Sequence, residues 1–285
     1  MTSVSTGASP SATTPAVVLT IAGSEATGGA GAQADLKTFQ ELGVFGIANL
    51  TCIVSFDPKD NWNHRFVPVD QQVIADQLEA TAAAYGPASG APSVLDTVKI
   101  GMLGSPATIS TVAGSLKANG FGNVVLDPVL ICKGQEPGHA LDTDQALKAE
   151  ILPLATFVTP NHFEAESLSG LEITDVESLK AAAVRIHELS GAAVLAKGGV
   201  RLEGPDAVDV FFDGETLEVL SAPKVGEVAV SGAGCSLAAA VTAELAKGAS
   251  PLEAARTAKV FVTEGIRNRV ASGAPFDALW QGGAR

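Results

Sequence analysis

Positive charge is scarce in this chain. Its 285 residues hold 18 Lys and Arg against 31 Asp and Glu, for a formal net charge of -13. A nucleic-acid footprint needs clustered basic residues, so the composition argues against that partner. Bulk charge cannot draw in an anionic substrate either. Any phosphate must be held locally, by backbone N–H groups, one or two lysines and a metal ion. Cysteine is also sparse: Cys52, Cys132 and Cys235 lie far apart in sequence. That leaves no short-spaced zinc or redox motif and points to reduced thiols in a cytoplasmic setting. No apolar run reaches the roughly 20 residues that a membrane span needs. Aromatics make up only 5% while hydrophobic residues make up 46%, so the core must come from aliphatic strands and small-residue helix faces. Residues 1–15 are rich in Ser, Thr, Pro and Ala and lack a basic start or an apolar h-region. They read as a disordered tail, not a signal peptide. Residues 16–285 read as one domain.

What is present is alternation. Strand-length apolar runs at 17–22, 98–100, 124–126, 156–158 and 194–196 alternate with helical stretches at 32–42, 109–118, 144–150, 178–189, 236–246 and 252–268. This order predicts an α/β fold with a mostly parallel central sheet and helices on both faces. Two stretches break the pattern. Residues 47–69 read as extended segments around the turn cluster Asp57-Pro58-Lys59-Asp60, and 208–220 as a hairpin closed by Asp213-Gly214. A small flap or hairpin beside the sheet can cover a site.

In open α/β sheets ligands bind beyond the carboxyl ends of the strands, and five such positions carry chemistry. The glycine-rich run from Gly23 to Gly31 matches neither the phosphate loop nor the dinucleotide fingerprint. It is either a turn for close helix packing or a backbone approach to a flat ligand. Asp127-Pro128 is a turn, or an acid placed to orient a hydrated Mg²⁺. Asn161 and Glu164 are a capping pair at a helix start, or two polar groups of which Glu164 holds a metal-bound water. Lys197-Gly198-Gly199 is a solvent lysine before a turn, or a phosphate-reaching lysine beside glycines that let the chain pass closely. The fifth is the most informative. Residues 228–230 read as a strand leading into Ser231-Gly232-Ala233-Gly234-Cys235 and a small-residue helix. The N–H groups of Gly232, Ala233, Gly234 and Cys235 would converge at the helix N-terminus as an anion hole, able to stabilise a transferring phosphoryl group. Cys235 is expected there with a lowered pKa, as a base; the plainer reading is a buried thiol in a turn.

Each motif is weak alone, but their order is specific. The stretches LTIAGSEATGGAGAQADLKTFQELGVFG, VKIGMLG, VVLDPVLICKG, VTPNHFEAESLSG, AKGG and SGAGCSLAAAVTAELAKG closely resemble the ribokinase-like superfamily. The resemblance is to its vitamin-kinase branch of hydroxymethylpyrimidine (phosphate) kinases and bacterial pyridoxal kinases. It implies a ribokinase-like fold and a kinase using ATP with Mg²⁺, with room for a monovalent cation. It also implies a homodimer and a small pyridine or pyrimidine substrate. Cys235 matches the catalytic base, which is an aspartate in sugar-kinase relatives, and Gly232, Ala233 and Gly234 match the anion hole. Asp127, Asn161, Glu164, Lys197, Gly198 and Gly199 match the ATP side, with Glu164 and Asp127 holding Mg²⁺ through water. Gly31, Phe56, His64 and Met102 match the walls of the substrate pocket.

Departures sharpen the reading. The family usually has Ser-Asp where this chain has Ser24-Glu25, Thr where it has Ala233, and His where it has Ser231. An N–H survives at Ala233, so the anion hole is retained. Pyrimidine kinases commonly carry Gln where this chain has Phe56, which cannot bond an aminopyrimidine. The segments around Trp62-Asn63-His64 and Ile131-Cys132-Lys133-Gly134 resemble the dual-cysteine pyridoxal kinases, in which the cysteine matching Cys132 adds to the pyridoxal aldehyde. The resemblance therefore implies phosphorylation of the 5′-hydroxymethyl group of pyridoxal, pyridoxine and pyridoxamine, with hydroxymethylpyrimidine and its phosphate as the alternative substrates.

Overall fold

The computed structural model describes residues 14–86, 94–130 and 137–284. Most of the tail assigned to 1–15, and Cys132 with its neighbours, lie outside the described residues. The apolar runs form a nine-stranded sheet in the order β3-β2-β1-β4-β5-β6-β7-β8-β9. The strands are β1 (Val17–Glu25), β2 (Phe45–Asp57), β3 (Asn63–Pro68), β4 (Leu95–Ile100), β5 (Asn123–Leu126), β6 (Phe157–Val158), β7 (Ala193–Lys197), β8 (Asp206–Phe212) and β9 (Leu217–Pro223). The strands from β2 to β7 pair in parallel, while β3, β8 and β9 close the two edges antiparallel. The hairpin predicted at 208–220 is β8–β9, and the extended region 47–69 is β2–β3.

Alternation along each strand decides which helices cover which face. Val124, Leu126, Val194 and Ala196 point into one core. There they meet α2 (Gln71–Tyr85), α3 (Pro106–Asn119) and α6 (Val176–Ser190). Val125, Phe157, Leu195 and Phe211 point into the other, against α7 (Ala233–Ala246) and α8 (Pro251–Arg267). On that second face α1 (Gly31–Glu41) packs on α7 through Phe39, Ala239 and Ala243. The alanine-rich sequence of α7 lets it lie buried against sheet, α1 and α8 at once, since small residues permit close approach. Two short helices, α4 (Pro137–Ala146) and α5 (His162–Ser169), complete the set. The helix expected at 144–150 is in fact the end of α4 followed by a wider turn at Leu147–Ile151.

Local signals set the helix ends. Ser105 caps α3 ahead of Pro106, and left-handed Gly120 stops it. Capping boxes open α5 at Asn161, α6 at Asp175 and α8 at Ser250. The strand expected at 228–230 is absent: these residues are irregular. Val228 is 74% exposed, and Ser231 bridges to Ala278 near the C-terminus instead of joining the sheet. Among the described residues no helix is long and apolar enough to cross a membrane.

Candidate active site

The loop before α7 is built around Gly232. Its φ is +77°, and a Cβ there would stand 1.7 Å from the carbonyl oxygen of Gly29. Only glycine fits. Gly232 is the N-cap of α7, and no side chain caps the helix. The Ser236 N–H returns to the Gly232 carbonyl at 2.8 Å. The Ala233 N–H donates to the Val230 carbonyl at 3.3 Å, so this member of the expected anion hole is turned back into the loop. Gly234 and Cys235 keep first-turn N–H groups with no intrahelical acceptor, as the geometry of a helix start requires.

This N-terminus opens on a cleft of about 870 Å³. Its lining brings together Asp127, Asn161, Glu164, Lys197, Gly198, Gly199, Gly232, Ala233, Gly234 and Cys235, the whole of the expected ATP side and loop. Asp127 follows β5 and is buried; Lys197 ends β7, and its Nζ lies 3.5 Å from Asp127 Oδ1. Lys197 Nζ also passes 3.5 Å from where a Cβ on Gly234 would stand. The lysine therefore reaches across the first turn of α7. Asn161 and Glu164 do form the capping box of α5: Asn161 Oδ1 accepts the Glu164 N–H at 3.0 Å, and Glu164 Oε2 accepts the Asn161 N–H at 2.7 Å. Glu164 remains in the cleft wall, so the cap does not remove it from the site. Burial pushes its carboxyl up to about 8; Lys197 opposes this and Asp127 adds to it. Two buried carboxylates facing one cleft repel each other, which is the environment a hard cation relieves. No group of three or more His, Cys, Asp or Glu side chains able to hold a metal occurs among the described residues. The donor set thus fits an Mg²⁺ held mainly by phosphate oxygens and water, not an all-protein cage.

Cys235 corrects one expectation. Its thiol is not lowered by the helix start: burial pushes it up to about 11. Lys99 and the Gly31 N–H pull it down, while Asp127 and Asp35 push it further up. Desolvation outweighs a half-charge at the helix end here. Sequence reasoning missed the pair beneath it. Lys99 and Asp35 are both fully buried, with Nζ to Oδ2 at 2.9 Å; the Thr20 hydroxyl donates to the same Oδ2 at 2.6 Å. Burial works against the Lys99 ammonium, but Asp35, Cys235 and Asp127 hold it charged. A lysine inside the apolar strand Leu95–Ile100 was the available signal, because buried charges are paired and costly. A second buried pair, Lys259 with Asp209 at 2.7 Å, also lines the cleft.

The expected substrate residues stand apart from the cleft lining. Gly31 opens α1 with φ +62°, and its N–H meets the Cys235 thiol, which ties this side to the loop before α7. Met102 follows β4; its Sδ lies 3.7 Å from Cys52 Sγ, and its carbonyl accepts the Thr51 hydroxyl at 2.6 Å. Phe56 and His64 face each other across the β2–β3 flap, with ring centroids 4.7 Å apart. Phe56 also meets Phe276 at 5.1 Å, a residue the sequence reading did not single out. In the Gly23–Gly31 run the backbone is already engaged. Glu25 Oε2 accepts the N–H groups of Gly29 and Ala30 at 3.0 and 3.1 Å, and Oε1 accepts that of Thr27 at 2.7 Å. The longer acid therefore locks this loop from within.

The model of the family described as phosphomethylpyrimidine kinase matches residues 25–279. The pyridoxine kinase of Bacillus subtilis (strain 168) is 46% identical over 254 residues, covering 87% of this chain and 89% of that one. The hydroxymethylpyrimidine/phosphomethylpyrimidine kinase of the same organism is 36% identical over 258 residues, covering 90% of each. Among solved structures, the pyridoxal kinase from Staphylococcus aureus in complex with AMP-PCP and pyridoxal superposes with a TM-score of 0.85 at 38% identity, covering 95% of each chain.

Proposed function

The chain belongs to the phosphomethylpyrimidine kinase family, and on that premise we propose that it transfers the terminal phosphoryl group of ATP to the 5′-hydroxymethyl group of pyridoxal, pyridoxine and pyridoxamine. The observation that carries the reaction type is the uncapped N-terminus of α7 at the floor of a cleft walled by Lys197, Asp127 and Glu164. Phosphoryl transfer asks a protein for positioning and for charge stabilisation more than for covalent chemistry. The N–H groups of Gly234 and Cys235 face the charge that develops on the transferred group. Lys197 reaches the same place from β7. Gly198 and Gly199 leave room for the nucleotide to pass. Asp127 and Glu164 would hold Mg²⁺ through water, and the ion would neutralise phosphate charge when bound. Cys235 takes the proton of the substrate hydroxyl. Lys99 and the Gly31 N–H are the two groups that favour its thiolate against burial.

The choice of vitamin B6 over hydroxymethylpyrimidine rests on the higher identity to the Bacillus pyridoxine kinase and on Phe56. The Phe56 ring, which lies in an aromatic group with His64, Trp62 and Phe276, offers a flat apolar face and no hydrogen-bonding atom to an exocyclic amine. A homodimer belongs to the same reading, supported by Ile53 and Val67, which sit side by side on the flap and are 43% and 59% exposed. The monovalent-cation expectation is checked by turnover with and without K⁺. The function is tested by following formation of the 5′-phosphate from pyridoxal with ATP, with and without Mg²⁺. Product that needs both supports it; no product from any B6 vitamer, with ATP bound, removes it.

A further inference from the structure

After α8 the chain returns as a strap over residues 269–280. It is folded back on itself by Val270 and Ala278, which exchange N–H···O bonds of 2.8 and 3.0 Å. Arg269 Nε donates to Asp277 Oδ2 at 2.8 Å. One edge of the strap is fastened to the anion loop: the Ser231 N–H donates to the Asp277 carbonyl at 2.9 Å, and the Leu279 N–H to the Ser231 carbonyl at 3.0 Å. Ser231 is bonded directly to Gly232, the cap of α7. The neighbouring residue, Phe276, turns the other way and meets the flap. Its ring lies 5.1 Å from Phe56 and 6.0 Å from Trp62, edge-on to the indole at 81°.

The flap tip that it meets is strained. Asn61 and Trp62 both take positive φ, 47° and 58°, a region a bulky side chain rarely adopts. Such strain persists where the surroundings over-determine the conformation. Here the Trp62 N–H donates to the Asp57 carbonyl at 2.9 Å, Arg65 pairs with Asp57, and Phe276 receives the indole. Edge-on aromatic contacts add attraction beyond simple burial. A single ring therefore joins the flap to the strap, and the strap is hydrogen-bonded to the loop that carries Cys235.

We propose that Phe276 is a positioning residue that sets the distance between the flap and the Cys235 loop, and so determines which ring fits between them. This rests on the reading that the flap walls the substrate pocket. The ATP-side cleft is lined without Phe276, although Phe276 lines an adjoining pocket that shares Val225, Val228, Ala229 and Val230 with it, so its loss should act on the vitamin side more than on the nucleotide side.

The test uses the full-length chain with F276A and F276Y. Hydrogen exchange of residues 57–64 is measured without ligand, alongside melting temperature and kcat and KM for ATP and for pyridoxal. In F276A the flap amides should exchange faster, and KM for pyridoxal should rise about tenfold while KM for ATP stays within about twofold. F276Y keeps the ring and should stay near wild type. Unchanged exchange at the flap with unchanged KM for pyridoxal would overturn the proposal. So would a parallel worsening of both KM values with the melting temperature, which marks a merely structural role. If F276A does not fold, F276L keeps bulk without the ring and is held to the same outcomes. The exchange measurement needs no substrate. A protein that prefers hydroxymethylpyrimidine would sink the vitamin reading, while flap exchange in F276A would still decide the role of Phe276.

Discussion

The thiol of Cys235 receives the Gly31 N–H and feels the ammonium of Lys99, yet burial keeps it protonated near neutrality. The spacing of the glycine loop showed where this residue sits, but not its ionisation, because the burial around it comes from α1 and the sheet. Cys235→Ala should lower kcat roughly 10²–10⁴-fold with nucleotide binding retained, and near-normal turnover would show that another group takes the proton. If Cys235 is the base, its resting as a thiol also predicts that kcat rises with pH through the neutral range. Cys235→Asp, which supplies a lower-pKa base, should move that rise to acid. Glu164 makes a separate prediction. Its folded pKa of about 8 lies above the usual carboxylate value, so the folded state holds the proton more tightly. The resulting stability is present at acid pH and lost as pH rises through about 8. Denaturant midpoints at about pH 5 and pH 8 should therefore differ more in wild type than in Glu164→Gln. Equal slopes would mean that Glu164 is ionised in the folded protein. The same variant should lose Mg²⁺-dependent turnover, whereas loss of a cap alone costs about 1 kcal/mol of stability and little catalysis. Cys132, outside the described residues, carries the aldehyde-capture idea: Cys132→Ala should impair pyridoxal far more than pyridoxine, and equal losses would retire it.

At the scale of elements, legibility followed burial. The parallel strands were readable because strands covered on both faces are near-continuous apolar runs, such as Val17 to Ala22, broken only by Thr20. Helix α2 was not, because only Ile74, Leu78 and Thr81 of its fifteen residues are buried, too thin a stripe to show a period. Residues 228–230 misled for the opposite reason: valines beside a glycine loop look like a strand, but they lie at a cleft rim. The β2–β3 flap could be seen as extended chain, though its aromatic contact with Phe276 joins residues some 220 apart in sequence (from 56 to 276) and leaves no local trace. On the proposed reading, the element on which the reaction depends most is the start of α7. Gly232→Ala should force a Cβ into the Gly29 carbonyl, cost about 1–3 kcal/mol or more in stability, and remove most turnover even where the protein stays folded. Kinetics within twofold of wild type would show that the loop can move without consequence for the reaction.

Over the whole molecule, a net charge of -13 is reconciled with an anionic co-substrate by placing basic groups locally. Lys197, Arg201, Lys224 and Lys259 line one cleft with Asp127, Glu164 and Asp209, and the helix N-terminus adds its dipole. The reaction class was legible from the family resemblance that the ordered loops carry, and those loops gather because the parallel strands β1, β2 and β4 to β7 bring their carboxyl ends to one edge. The substrate was less legible, since on the proposed reading it depends on how the flap, the strap and the loop before α7 meet. The measurement that bears most directly on the account is competition between pyridoxal and hydroxymethylpyrimidine for one limiting pool of enzyme and ATP. Leaving an exocyclic amine unpaired against Phe56 costs about 1–3 kcal/mol, so kcat/KM should favour pyridoxal by roughly ten- to a hundredfold. A ratio at or below one would contradict the vitamin B6 assignment and make hydroxymethylpyrimidine the substrate.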